Sequence, residues 1–93
     1  MKISELRSGS KANIEGKITE KNEPREVNTR SGTMRVANAT LEDDSGSITL
    51  VLWNDEIDKV SEGDNVKIEN GFVKEWNSAL QVSAGRFGKL LVL

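Results

Sequence analysis

Two sets of side chains in this 93-residue sequence could do chemistry. The first is acidic: Asp43 and Asp44, then Asp55, Glu56 and Asp58. Paired carboxylates can hold a divalent cation for phosphoryl transfer. The second set is Trp53, Phe72 and Trp76, in a chain that also carries Arg30, Arg35 and Lys74. A ring left in water can stack on another planar ring, and a cation beside it can hold an anion. The acids have a plainer explanation. Asp43 and Asp44 stand where a tight turn favours Asp, and Asp55 and Glu56 where a helix start favours negative charge. The sequence contains no histidine and no cysteine. That removes the commonest general base, the commonest metal ligand, thiolate nucleophiles, cysteine-zinc sites and disulfides. No base or nucleophile is placed beside the acids, so the chain is read as a non-enzyme without a cofactor.

The aromatic set depends on which elements carry it. Ile3 and Leu6, three apart, suit one helical turn ended by Gly9. Residues 12–21 alternate, with Ala12, Ile14, Gly16 and Ile18 on one face, which predicts a half-buried strand with a bend or bulge at Gly16. Residues 21–33 are polar, hold the sole proline, Pro24, and read as a long hairpin loop. Residues 34–42 and 47–53 form a second and third strand around the turn Asp43-Asp44-Ser45-Gly46. If they pair as a hairpin, Leu41 meets Ile48, Ala39 meets Leu50 and Ala37 meets Leu52. Small residues then face large ones, as a tightly curved interior requires. Thr40 by Thr49, Asn38 by Val51, and Val36 by Trp53 take the opposite face.

Residues 54–60 predict one helical turn capped by Asn54 or Asp55, and residues 61–64 a turn. Residues 65–70 are a fourth strand with Val66 and Ile68 inward. A bulge at Asn70-Gly71 reverses the alternation and turns Phe72 outward. Residues 73–78 read as a second polar hairpin loop containing Trp76, and residues 79–84 as a fifth strand with Leu80 and Val82 inward. Phe87 is left as a core or strand-end plug. The expected fold is all-β: a five-stranded Greek-key barrel of the OB type, with one short helix between strands 3 and 4. A small SH3-like barrel is the runner-up, but it usually lacks so long a first loop.

In this layout Trp53, Phe72 and Trp76 lie outside the core. The structural alternative is that Trp53 caps the barrel end and Trp76 packs on a neighbouring loop. Exposed rings beside cations suit unpaired nucleobases, each with an apolar face that stacks for roughly 1–3 kcal/mol. Duplex bases are already stacked, so such a surface selects single strands. The charge pattern permits this although the net charge is −2. Eight acids fall within residues 42–64, offset only by Lys59, which leaves the remainder at +5. That remainder includes Arg25, Arg30, Arg35, Lys67, Lys74 and Arg86.

The segments Thr29-Arg30-Ser31-Gly32, Asp43-Asp44-Ser45-Gly46-Ser47-Ile48, Leu52-Trp53, residues 63–71 (Gly-Asp-Asn-Val-Lys-Ile-Glu-Asn-Gly) and Leu80-Gln81-Val82-Ser83 carry a resemblance. In order and spacing they resemble the archaeal single-stranded DNA-binding OB domains, those of the single-strand-binding protein and of replication protein A. The resemblance runs from Ile3 to about Gly88. It implies that Trp53, Phe72 and Trp76 stack bases and that Arg25, Arg30 and Arg35 serve the strand. Two departures stand out. Phe72 occupies a position where the single-domain relatives often have Trp, and the Gly- and Arg-rich tail of those relatives is absent. The ending Leu90-Leu91-Val92-Leu93 reads as a strand leading onward. Residues 1–93 are therefore expected to be one OB domain, a module of a longer multi-domain protein.

The expected function is sequence-independent binding of single-stranded DNA in replication, repair and recombination. Bases stack on Trp53, Phe72 and Trp76; phosphates meet Arg30, Arg35 and Lys74, with Arg25, Lys67 and Arg86. Sister OB domains and replication or repair proteins are the expected partners. An OB domain that binds RNA, or one that binds a protein through the acidic segment, stays open. No run approaches the roughly 18 apolar residues of a membrane span, and the start lacks a signal-peptide core. The expected location is the cytoplasm, at the nucleoid.

Overall fold

A computed structural model describes residues 2–85 and 88–93. Arg86 and Phe87, expected as a phosphate contact and a core or strand-end plug, lie outside the described residues. A 3-10 turn, Ile3–Glu5, leads into strand β1, Lys11–Lys21. Then come β2 (Arg25–Thr29), β3 (Gly32–Asp43), β4 (Gly46–Trp53), the helix α1 (Asp55–Lys59), β5 (Asn65–Trp76), β6 (Ala79–Ser83) and β7 (Lys89–Val92). The ring closes through β1, β3, β4, β6 and β5 back to β1. Its closing joint is the parallel pair β4–β6, where Thr49 meets Gln81 and Leu50 meets Val82. β2 extends β3 beyond the ring, and β7 lies along the first half of β5.

Inward residues follow the alternation. Ala12, Ile14 and Ile18 of β1 are buried with Leu41, Leu50, Leu52, Ile68 and Val82. The β3–β4 register matches the expected one throughout: Leu41 with Ile48, Ala39 with Leu50, Ala37 with Leu52, and Val36 with Trp53 on the outer face. Ile3 and Leu6 join the core from the end where β4 begins, and Ile57 and Val60 from the end where it stops. The β3–β4 turn is held by the Asp43 carboxylate. It accepts hydrogen bonds from Ser45 N–H at 2.7 Å, Ser45 Oγ at 2.6 Å, Gly46 N–H at 3.1 Å and Ile3 N–H at 2.9 Å. Burial alone would raise its pKa; these bonds outweigh that and lower it to about 2.

Several expectations are corrected. Residues 21–33 are not a loop. β2 pairs with β3 from Arg25–Val36 to Thr29–Gly32, making a long hairpin with a turn at Arg30 and Ser31. Apart from half-buried Val27, β2 is exposed, so it carries no inward–outward alternation. Gly16 is not a bulge; the register shifts lie on either side of it, at Ala12–Ile14 and Ile18–Glu20. Just beyond Gly16, at Lys17, β1 passes from β5 to β3, and a Cβ on Gly16 would sit 2.6 Å from the Glu42 carbonyl oxygen. Glycine is needed for that close approach. Asn54 precedes α1 but makes no side-chain cap; its Oδ1 accepts Arg35 N–H at 3.1 Å instead. The helix is secured at its other end, where Lys21 Nζ donates to the Ile57 and Val60 carbonyls at 2.5 and 2.7 Å. Trp76 is not in a loop. β5 runs through it to a two-residue turn, Asn77-Ser78, with φ of 52° and 65°. Residues 89–92 are a strand, as the ending suggested, and β7 pairs antiparallel with β5, with Leu90 facing Ile68 and Val92 facing Val66. The ring itself holds the five expected strands, and among the described residues β2 and β7 are added to it.

Candidate nucleic-acid interface

The interface is built by parity. β5 points Val66 and Ile68 inward, then Gly71 and Val73. The change falls at Asn70, which has φ 53°, where β5 bulges against β1. Beyond it Phe72, Lys74 and Trp76 share the outer face, in steps of about 7 Å along the strand. Phe72 is 52% exposed and Trp76 61%. Across β6 they face Ser83, Gln81 and Ala79 in turn. From the other side comes a row over three strands: Arg25 of β2 opposite Val36 of β3, which is opposite Trp53 of β4. Asn38 and Val51 form the next outward pair.

These faces enclose an open groove of about 490 Å³. Trp53, Phe72 and Trp76 all line it, with Arg25 and Lys74. Among the described residues, the lining contains no carboxylate. The ion pairs among the described residues are Lys2–Asp44 and Arg35–Asp58, so the charges of Arg25 and Lys74 are uncompensated. A polar floor completes the groove, from Asn38, Gln81 and Ser83. The alternation that turns Val82 inward already turned Gln81 and Ser83 outward, but only the β4–β6 joint brings them beside Val51 and Trp53. Val27 was hidden in the supposed loop.

The remaining expected cations sit elsewhere. Arg35 is on the opposite parity from Val36, and its Nη2 lies 3.0 Å from Asp58 Oδ2 and 3.4 Å from the Asn54 carbonyl. Arg30 is exposed at the tip of the β2–β3 hairpin, outside the groove lining. Lys67 precedes the bulge, between Glu15 of β1 and Leu91 of β7.

Trp53 is half-buried. Its backbone N–H donates to Glu56 Oε1 at 3.0 Å. Burial pushes the Glu56 pKa up, against that hydrogen bond and the positive charge of Lys59. The acid therefore ties the end of β4 to α1 and is not among the residues lining the groove.

Comparison with known proteins agrees with this geometry. A family pattern described as an OB-fold nucleic acid binding domain matches residues 12–90. The single-stranded DNA binding protein Ssb of Saccharolobus solfataricus is 30% identical over 78 residues, 84% of this chain and 53% of that protein. Replication factor A of Methanothermobacter thermautotrophicus is 32% identical over 96 residues, 98% of this chain and 12% of that protein. The chain thus spans about half of one relative and a small part of the other. The second OB-fold domain of replication protein A from Methanococcus maripaludis superposes with a TM-score of 0.76 at 32% identity, covering 89% of this chain and 86% of that one. With this match over most of its length and the closed ring of strands beneath it, the chain belongs to the family of OB-fold nucleic acid binding domains, where its relatives include archaeal replication protein A and single-stranded DNA binding protein.

Proposed function

We propose that this chain binds single-stranded DNA with little sequence preference, as a non-catalytic module. The observation that carries the reading is the composition of the groove: among the described residues, three aromatic rings and two cations outside any ion pair, with no lining acid, on a chain of net charge −2. The relatives, named for single-stranded DNA binding and replication, support it. Bases stack on Trp53, Phe72 and Trp76. Arg25 and Lys74 hold phosphates, and Arg30 reaches the strand from the hairpin tip. Arg35, tied to Asp58, and Lys67, beyond the bulge, act through their field alone. One such domain covers about 4 or more nucleotides. The relatives are longer than this chain, which favours work in tandem with sister domains in replication, repair and recombination, in the cytoplasm. Linkage would then raise avidity.

Intrinsic fluorescence tests the reading, because both tryptophans line the groove. Titration with oligo-dT is expected to quench most of the signal. Affinity should fall with salt, with a log–log slope of roughly −0.7 per phosphate neutralised. Equal affinity for oligo-U would turn the reading towards RNA, since 2′-hydroxyl contacts distinguish the two. Failure to bind either oligonucleotide would favour a protein partner.

A further inference from the structure

Beyond Phe72 the surface dips again, into a second concavity of about 260 Å³. Lys11, Gly71, Phe72, Ser83 and Gly85 line it, so Phe72 and Ser83 belong to both hollows. The register explains why Lys11 is there. It is the first residue of β1 and the direct cross-strand partner of Phe72. The next pair, Ala12 and Gly71, is buried, which leaves Lys11 and Phe72 side by side on the outer face. Antiparallel partners hold their Cβ atoms about 4.5–5.5 Å apart, well within reach of a lysine stem along a ring.

Two further facts bear on what the concavity could hold. Gly85 has φ +67°, and a Cβ built on it would lie 4.0 Å from the Cβ of Phe72. A side chain here would stand against Phe72. The Lys11 ammonium is in neither ion pair of the described residues, and among those residues no carboxylate lines the concavity. A half-exposed ring that lines both hollows, with a cation outside the described ion pairs beside the second, fits a further unit of the ligand proposed for the first groove.

We infer that Phe72 is a partition with a base on each face, and that Lys11 contacts the phosphate of a further nucleotide of the same single strand. This rests on the groove binding single-stranded nucleic acid. It extends the site from β5 across to β1, where sequence reading placed no contact. Lys11 acts as an electrostatic anchor: its charge meets the phosphate, and its stem lies along the ring edge.

The test compares wild type, Lys11→Gln, Lys89→Gln and Trp53→Ala, using oligo-dT of about 4 to about 16 nucleotides, the range of single OB-domain sites. Lys89, exposed on β7, matches the charge change away from both hollows. Lys11→Gln should reduce the log–log salt slope by about 0.7, so the wild type should lose about 2.6-fold more affinity than the variant between about 50 and about 200 mM salt. The deficit should appear with the longer oligonucleotides and shrink with the shortest. Lys89→Gln should leave the slope unchanged. If Trp53→Ala weakens binding while Lys11→Gln alters neither slope nor affinity, the second subsite is refuted and the groove stands. If Lys11→Gln and Lys89→Gln weaken binding equally, Lys11 acts only through net charge, and the inference fails. If wild type binds no oligo-dT, the groove reading fails and takes this one with it.

Discussion

Trp76→Ala separates binding from folding more cleanly than any other change in the groove. Trp53 is half-buried at the end of β4, so removing its ring takes away packing as well as exposed surface. Trp76 is 61% exposed on the last residue of β5, opposite Ala79. Its loss should cost folding less than about 1 kcal/mol, as for a surface change in a strand. In a domain of this size that is a melting shift of no more than about 8 °C. Its loss to binding is one stacked base, roughly 1–3 kcal/mol. At 1.4 kcal/mol per decade that is about 5-fold to about 150-fold in Kd. Anisotropy of a labelled oligo-dT reads the affinity, and urea unfolding the stability. The remaining Trp53 still reports ligand in the groove by its own quenching. A folded Trp76→Ala protein that binds within about twofold of wild type would show that this ring stacks nothing, because even the weakest stacking estimate exceeds that.

Other consequences can be checked together. Lys74→Gln should lower the salt slope by about 0.7, whereas Arg35→Gln should leave it nearly unchanged, since Arg35 is already tied to Asp58. The Asp43 pKa is lowered to about 2 from an ordinary value near 4, so its stabilising contribution is complete above the ordinary value and disappears as pH falls through 2. Asp43→Asn should flatten that acid limb in a urea-versus-pH series. Glu56 has the opposite sign. Its raised pKa means stability is complete below the ordinary carboxylate value and declines as pH rises through the raised one, and Glu56→Gln should remove that decline while keeping an acceptor for Trp53 N–H. Gly16→Ala should destabilise by about 1–3 kcal/mol, because the new methyl would meet the Glu42 carbonyl and the backbone must shift.

How much could be read beforehand depends on whether a segment has an inside. The β3–β4 hairpin was legible to the residue pair, because Ala37, Ala39 and Leu41 alternate against Ile48, Leu50 and Leu52 around an Asp-Asp-Ser-Gly turn. The parity change before Phe72 was legible from Asn70-Gly71, since Asn tolerates the left-handed backbone that the bulge uses. β2 was not legible: it pairs through its backbone and packs almost nothing, so its side chains record no period. Trp76 was misplaced for a similar reason. Lys74 and Glu75 look like loop residues, yet they continue a strand whose outer faces are solvated.

The local alternation, the turns, and the outward parity of Trp53, Phe72 and Trp76 are local properties, because they follow from side-chain chemistry over a few neighbouring residues. Tertiary structure decided which of the outward groups share a groove. Arg25 joins Trp53 only through β3, Gln81 joins Thr49 only through the parallel β4–β6 joint, and Lys11 joins Phe72 only where β1 crosses β5. It also set Arg35 one step of strand parity from Val36, with its guanidinium on the carboxylate of Asp58. Contacts between residues distant in the chain depend on how the ring closes, and no local period encodes that closure.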